Sequence, residues 1–211
     1  MCTLKVIFVC CILIMYGINI ANSFPSSSID RKDYPFPFYS RADWNADPST
    51  DVRPLITLTP YVVIHHTYEP PACNDTAQCE AAMKSMQDYH KSLDWGDIGY
   101  NFCVGSEGGA YEGRGWEVVG IHAGKANSIS IGICLIGDWR EQLPPVQQLE
   151  TTKALIEEGV KRGFISSDYK LIGHRQALPT ECPGTALFNH ISTWDHFVPQ
   201  FEPPPLKKTH K

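Results

Sequence analysis

Tyr61-Val62-Val63-Ile64-His65-His66-Thr67 opens on four apolar residues, three of them β-branched, and ends on two histidines. A short apolar run with no polar alternation reads as a strand buried on both faces, which places it inside a parallel or mixed sheet covered by helices. The two histidines then sit at the strand's carboxyl end. Alternation points them opposite ways without saying which one turns toward a site.

Working outward, other runs share this character. Tyr100 to Val104 reads as a strand, Gly105 to Gly109 as a turn, and Ala110-Tyr111-Glu112 as the returning partner of a hairpin. Val118 to His122 reads as a further strand ending in a histidine. Ser130 to Ile136 is the most β-like run, and Lys170 to Gly173 is another short strand. Between them lie helical patterns. In Thr76 to Leu93 the apolar stripe is Cys79, Met83, Met86, His90 and Leu93, with Asp75 or Thr76 as cap. Val146 to Arg162 follows Pro144-Pro145 and stops at Gly163. Thr185 to Val198 carries Leu187, Ile191, Trp194 and Val198 on one face. The expected class is α/β, a mixed central β-sheet with about three main α-helices packed on it.

Residues 1–23, with Lys5, the apolar run Val6 to Ile20 and small residues at Ala21 and Ser23, have the layout of a cleavable signal peptide. The apolar run is shorter than the ~20 residues a spanning helix needs. The expectation is a secreted, extracellular protein. A Ser- and Pro-rich leader is expected over 24–39, one domain over 40–198, and a disordered Pro/Lys tail over 199–211. The net charge of −5 excludes the basic stripe of a nucleic-acid binder. No second apolar run suggests a membrane span after signal cleavage. Asn74-Asp75-Thr76 is a glycan acceptor sequon, used or unused, if the chain is secreted.

Five cysteines lie beyond the signal segment, an odd number. Cys73 and Cys79 are close enough in sequence to close a small ring. Cys103 and Cys134 either pair across strands or are two buried small hydrophobes. Cys182 is left over, which flags a special role. It lies in Gly173-His174-Arg175-Gln176-Ala177-Leu178-Pro179-Thr180-Glu181-Cys182-Pro183-Gly184, where His174 follows a strand. Histidine and cysteine at the two ends of one loop make half a zinc site. They also suit a thiol nucleophile, because a helix N-terminus lowers a cysteine's pKa. With His65 or His66 the ligand count rises to three, the count of a catalytic zinc with an open position. The bland alternative is that a histidine at a strand end is a polar rim residue; His90, His190, His196 and His210 fall in that class. The glycines through Gly115 are turn chemistry, since no helix pattern follows as a phosphate loop requires.

Seven motifs in order carry a family resemblance: Ser40-Arg41-Ala42-Asp43-Trp44, Val63-Ile64-His65-His66-Thr67, the Cys73/Cys79 pair, Asp97-Ile98-Gly99-Tyr100-Asn101-Phe102, Tyr111-Glu112-Gly113-Arg114-Gly115-Trp116, Ser130-Ile131-Gly132-Ile133, and Gly173-His174-Arg175 through Cys182-Pro183-Gly184. The chain resembles the peptidoglycan recognition protein family in its amidase-competent branch, related in fold to bacterial and phage zinc amidases. The resemblance spans about Ser40 to Phe197. It implies a Zn²⁺ held by His65, His174 and Cys182, catalytic assistance from Tyr100 and Thr180, and a Cys73–Cys79 disulfide. It further implies an N-acetylmuramoyl-L-alanine amidase that binds bacterial peptidoglycan, hydrolyses the lactyl–L-Ala amide and modulates innate immune responses; separately from the resemblance, a monomer is expected. Members that only bind typically lack the cysteine ligand, which is present here. For the substrate groove, Trp95, Tyr100, Arg114 and His122 are the expected lining, Arg114 facing a stem carboxylate. Two rivals predict different behaviour: a non-catalytic peptidoglycan receptor signalling through a protein partner, and a cysteine peptidase using Cys182.

Overall fold

In a computed structural model that describes residues 33–55 and 58–203, the run ending at His66 forms the strand β2 (Thr59–His66). Val62, Val63 and Ile64 have no exposed surface. Side chains of this size stabilise a fold by roughly 1.5–3 kcal/mol each when fully buried, and both faces of β2 supply them. The strand lies between two parallel neighbours, β5 (Ser130–Leu135) and β6 (Ile165–Gly173). Beyond β5 come β3 (Phe102–Val104), its antiparallel hairpin partner β4 (Ala110–Glu112), and the edge strand β1 (Phe38–Tyr39). The order is β1-β4-β3-β5-β2-β6, and the sheet is mixed as expected.

Register decides the faces. His65, Cys134 and Cys103 are successive partners across β2, β5 and β3, so they point to one side. Helix α1 (Thr76–Ser92) covers that side with Cys79, Met83 and Met86. Asp75 caps it, its carboxylate accepting the Gln78 N–H at 2.8 Å, and a Cys73–Cys79 disulfide ties the entering loop to the first turn. The other side carries Phe102, packed on Trp116 at 4.3 Å between ring centroids. Gly159 of helix α2 (Val146–Lys161) lies against Trp116 and Ile165, so α2 closes this side. Gly163, at φ +77°, ends the chain's run out of α2. Cys103 and Cys134 are both buried free thiols, the second of the two readings above.

Several boundaries differ from expectation. The leader over 24–39 is not wholly separate from the domain: Tyr34 and Phe38 are buried, Tyr34 accepts a hydrogen bond from Trp116 Nε1 at 3.0 Å, and Phe38–Tyr39 pairs with β4. At the other end, Phe201 packs edge-on against Tyr61, whose hydroxyl donates to the Glu202 carbonyl, so 199–202 belong to the packed structure. Val118 to His122 is not a strand. The Asn101 side chain donates to the carbonyls of Gly115 and Val118, folding the segment back, and Val118 keeps only an isolated bridge to Pro54. Of the third helix only α4 (Thr185–Ile191) forms, and the residues just after β6 make one extra turn, α3 (His174–Ala177). The signal segment 1–23 lies outside the described residues. Among the described residues no helix is long and apolar enough to cross a membrane.

Candidate metal centre

Parallel strands of an open sheet gather functional groups at their carboxyl ends, and β2 and β6 do so here. The register Ile64↔Gly173 brings the next residues, His65 and His174, side by side with ring centroids 4.4 Å apart. The loop after α3 then returns to the same point. The Arg175 N–H donates to the Cys182 carbonyl at 2.9 Å, the Cys182 N–H donates to Thr180 Oγ1 at 3.2 Å, and Gly184 N–H donates to the Glu181 carbonyl at 2.8 Å. A Cβ at Gly184 would meet the Trp139 carbonyl group at 2.3 Å, so only glycine lets the loop lie this close to the chain after β5.

One donor atom each from His65, His174 and Cys182 lies within 4.8 Å of the other two. The Cys182 thiol is 3.8 Å from His65 Nδ1 and accepts the His66 N–H at 3.3 Å. The two adjacent histidines are now told apart. His65 is fully buried and faces the cluster, whereas His66 Nδ1 accepts the Trp139 N–H at 3.2 Å. Burial pushes His174 down to about 4 and His65 well below the ordinary imidazole range. Both rings are therefore neutral at pH 7 and keep the lone pair a metal requires. His174 Nε2 is buried without a hydrogen-bond partner, a costly state for a polar atom that a bound cation would relieve. Two imidazoles and a thiolate are soft-to-borderline donors in the count of an open zinc site, so these residues fit that ion.

The cysteine-nucleophile alternative meets an obstacle. Burial pushes the Cys182 thiol up to about 12, against the thiolate-favouring His66 N–H and Arg175. Without a metal ion beside it the sulfur is a protonated thiol at neutral pH, a poor nucleophile.

The centre opens into a cavity of about 490 Å³ with Tyr68, Tyr100, Arg140, Thr180 and Glu181 among its walls. A second cavity of about 600 Å³ continues it, sharing Thr67, Tyr68 and Tyr100 and reaching along α1 to Met86, Tyr89 and His90. Tyr100 stands between them, its ring 5.2 Å from that of His65. Burial holds its hydroxyl pKa well above the usual phenol value, so it is a hydrogen-bond donor at any working pH.

Of the expected groove residues, only Tyr100 lines these cavities. Arg114 is buried, with its donors spent on the carbonyls of Ile98, Asp51, Val119 and Trp95, so in this structure it is an internal strut. Trp95 stacks on His90 at 4.6 Å, one layer behind the second cavity. His122 is buried behind His65. Conversely, His90 is not a rim residue. It is buried in the stripe of α1, and its Nδ1 accepts the Gly99 N–H at 3.1 Å. A polar residue within an apolar helical stripe is the signal that marks it. Tyr68 and Arg140, whose guanidinium lies 4.6 Å from the Tyr68 ring centroid, carry no such signal, because both stand in loops just after strand ends.

Residues 57–185 match the protein family described as N-acetylmuramoyl-L-alanine amidase. Peptidoglycan-recognition protein LB of Drosophila melanogaster is 50% identical over 160 residues, spanning 75% of this chain and 69% of that protein. The N-acetylmuramoyl-L-alanine amidase of Homo sapiens is 42% identical over 178 residues, which is 82% of this chain and 31% of that protein. Among solved structures, a mutant of Drosophila PGRP-LB in complex with tracheal cytotoxin superposes with a TM-score of 0.75 at 49% identity. The match covers 76% of this chain and 96% of that one.

Proposed function

Because this chain belongs to the peptidoglycan-recognition protein family and carries its N-acetylmuramoyl-L-alanine amidase domain, we propose that it is a zinc-dependent amidase cleaving the bond between the lactyl group of muramic acid and the L-alanine of the stem peptide. The observation that carries this reading is the convergence of His65, His174 and Cys182 at the floor of an open cleft. These three side chains would hold the ion. When bound, zinc supplies a Lewis acid and brings the pKa of a water ligand toward ~7.

The remaining chemistry belongs to side chains of this chain. The Tyr100 hydroxyl, kept protonated by burial, donates to the carbonyl oxygen as negative charge develops there. Thr180 Oγ1 accepts the Cys182 N–H, so it fixes the ligand loop while its own proton remains for the reacting oxygen. The His66 N–H, directed at the Cys182 sulfur, holds that side chain in its ligating position. The two joined cavities take the sugar–peptide, with Tyr68, Tyr89, Pro70 and Pro71 offering flat apolar faces and Arg140, ion-paired with Asp138 at 2.8 Å, standing in the wall of the first. The relative solved with tracheal cytotoxin supports a peptidoglycan fragment as the occupant. The signal-like segment and the Cys73–Cys79 disulfide support action outside the cell, where disulfides persist, and membership of the peptidoglycan-recognition protein family is in keeping with a part in modulating innate immune responses.

Metal dependence tests the reading. Purified protein is expected to bind one zinc, to lose stem-peptide release on chelation and to recover it with zinc. Release that survives chelation but not iodoacetamide would point to Cys182 as nucleophile. Peptidoglycan binding with no release would point to a receptor.

A further inference from the structure

The ring of His122 sits in a slot that two missing side chains create. A Cβ at Gly132 would come within 2.6–2.7 Å of three atoms of that ring, and one at Gly120 within 2.4 Å of its Cδ2. The backbone on either side is pinned as well, since Asn127 Oδ1 accepts the N–H of His122 at 3.0 Å and of Ala123 at 2.6 Å. So held, His122 Nδ1 lies 3.0 Å from Nε2 of His65, with the two rings perpendicular at 5.0 Å. The other nitrogen of His65, Nδ1, is the one facing Cys182.

We propose that His122 is the positioning residue of the metal centre. Its Nδ1 accepts the proton on His65 Nε2 and thereby leaves the His65 Nδ1 lone pair turned toward His174 and Cys182. The proposal rests on the zinc reading above. An imidazole ligand needs its second nitrogen hydrogen-bonded to fix tautomer and ring orientation, and carboxylates or carbonyls usually do this. Among the described residues no carboxylate or carbonyl is bonded to His65 Nε2, and a second imidazole takes the position. The same bond requires the other nitrogen of His122, Nε2, to carry the proton, and that buried nitrogen has no hydrogen-bond partner among the described residues.

The test has a metal-free arm and a metal arm. In ¹⁵N spectra of the metal-free protein, His65 is expected to be protonated at Nε2, with a coupling across the hydrogen bond to His122 Nδ1. In His122→Phe, which fills the slot without an acceptor, the two tautomers should mix and zinc affinity, by chelator competition, should fall about 10- to 100-fold. In His122→Asn, whose amide oxygen replaces Nδ1, both readouts should return toward wild type. A wild-type His65 protonated at Nδ1, or a His122→Phe protein that binds zinc as tightly as wild type, overturns the proposal. If no form of the protein binds zinc, the reading of the centre fails, while the metal-free spectrum still decides what His122 does to His65.

Discussion

Single side chains separate the chemistry from its support. Cys182→Ser replaces a sulfur ligand by a weak hydroxyl donor, and the expected result is loss of stoichiometric zinc binding with an unchanged melting temperature in chelator. A variant that still binds zinc tightly would remove Cys182 from the ligand set. Tyr100→Phe deletes one donor to the developing oxyanion and should lower kcat about 10²- to 10³-fold while leaving zinc affinity intact, measured by parallel turnover and metal titration. His90 makes a prediction about pH. Burial first, then the Arg114 charge, pushes it down to about 4 in the folded chain, from about 6.5 unfolded. Between those values the unfolded chain takes up a proton that the folded one refuses. Stability therefore falls as pH drops from about 6.5 toward 4, by up to ~1.4 kcal/mol per pH unit from this residue. His90→Asn keeps an acceptor for the Gly99 N–H and cannot titrate, so its urea-unfolding free energy should be flatter with pH by that amount. At this scale the sequence shows His174 and Cys182 clearly, because a lone cysteine and a histidine bracket one loop. It leaves His65 and His66 interchangeable, because alternation says only that they diverge. His122 was legible as a histidine near the site and not as a support for His65, since that depends on the space left at Gly120 and Gly132, which lie outside any local pattern.

Elements set by local chemistry were the legible ones. α1 and α2 announce themselves through helical stripes bounded by Asp75 and by Pro144-Pro145, β2 through the unbroken β-branched run Val62-Val63-Ile64, and β5 through the short apolar run around Ile131 and Ile133. Elements that depend on a distant partner were not. β1 exists because Phe38–Tyr39 finds the edge of β4, and Val118 to His122 stays irregular because the Asn101 side chain claims the Val118 carbonyl and, ahead of the segment, that of Gly115. The strand β5 carries a requirement that its β propensity hides. Gly132 is the least strand-like residue in it, yet any larger residue collides with the His122 ring. Gly132→Ala is expected to cost about 1–3 kcal/mol, as overpacking of a dense interior does, read from urea midpoints. A neutral Gly132→Ala would mean that the slot has room the structure does not show.

At the scale of the molecule, the α/β class and mixed sheet could be read from the alternation of runs, but the order β1-β4-β3-β5-β2-β6 could not. Strand order is decided by which crossovers bury most apolar surface, and no single segment encodes that. The same order creates the centre, because it sets β2 beside β6 and so puts His65 beside His174, 109 positions apart in the chain. The cleft above them then follows from where α1 and the loops after β2 and β5 end. The most direct test of the whole account is the mass spectrum of soluble products from purified peptidoglycan, digested with zinc present and again after chelation. The account predicts stem peptides with a free L-alanine amino group, complementary glycan with a free lactyl carboxyl, and neither product after chelation. Cleavage at another bond, or the same products undiminished without metal, would contradict it.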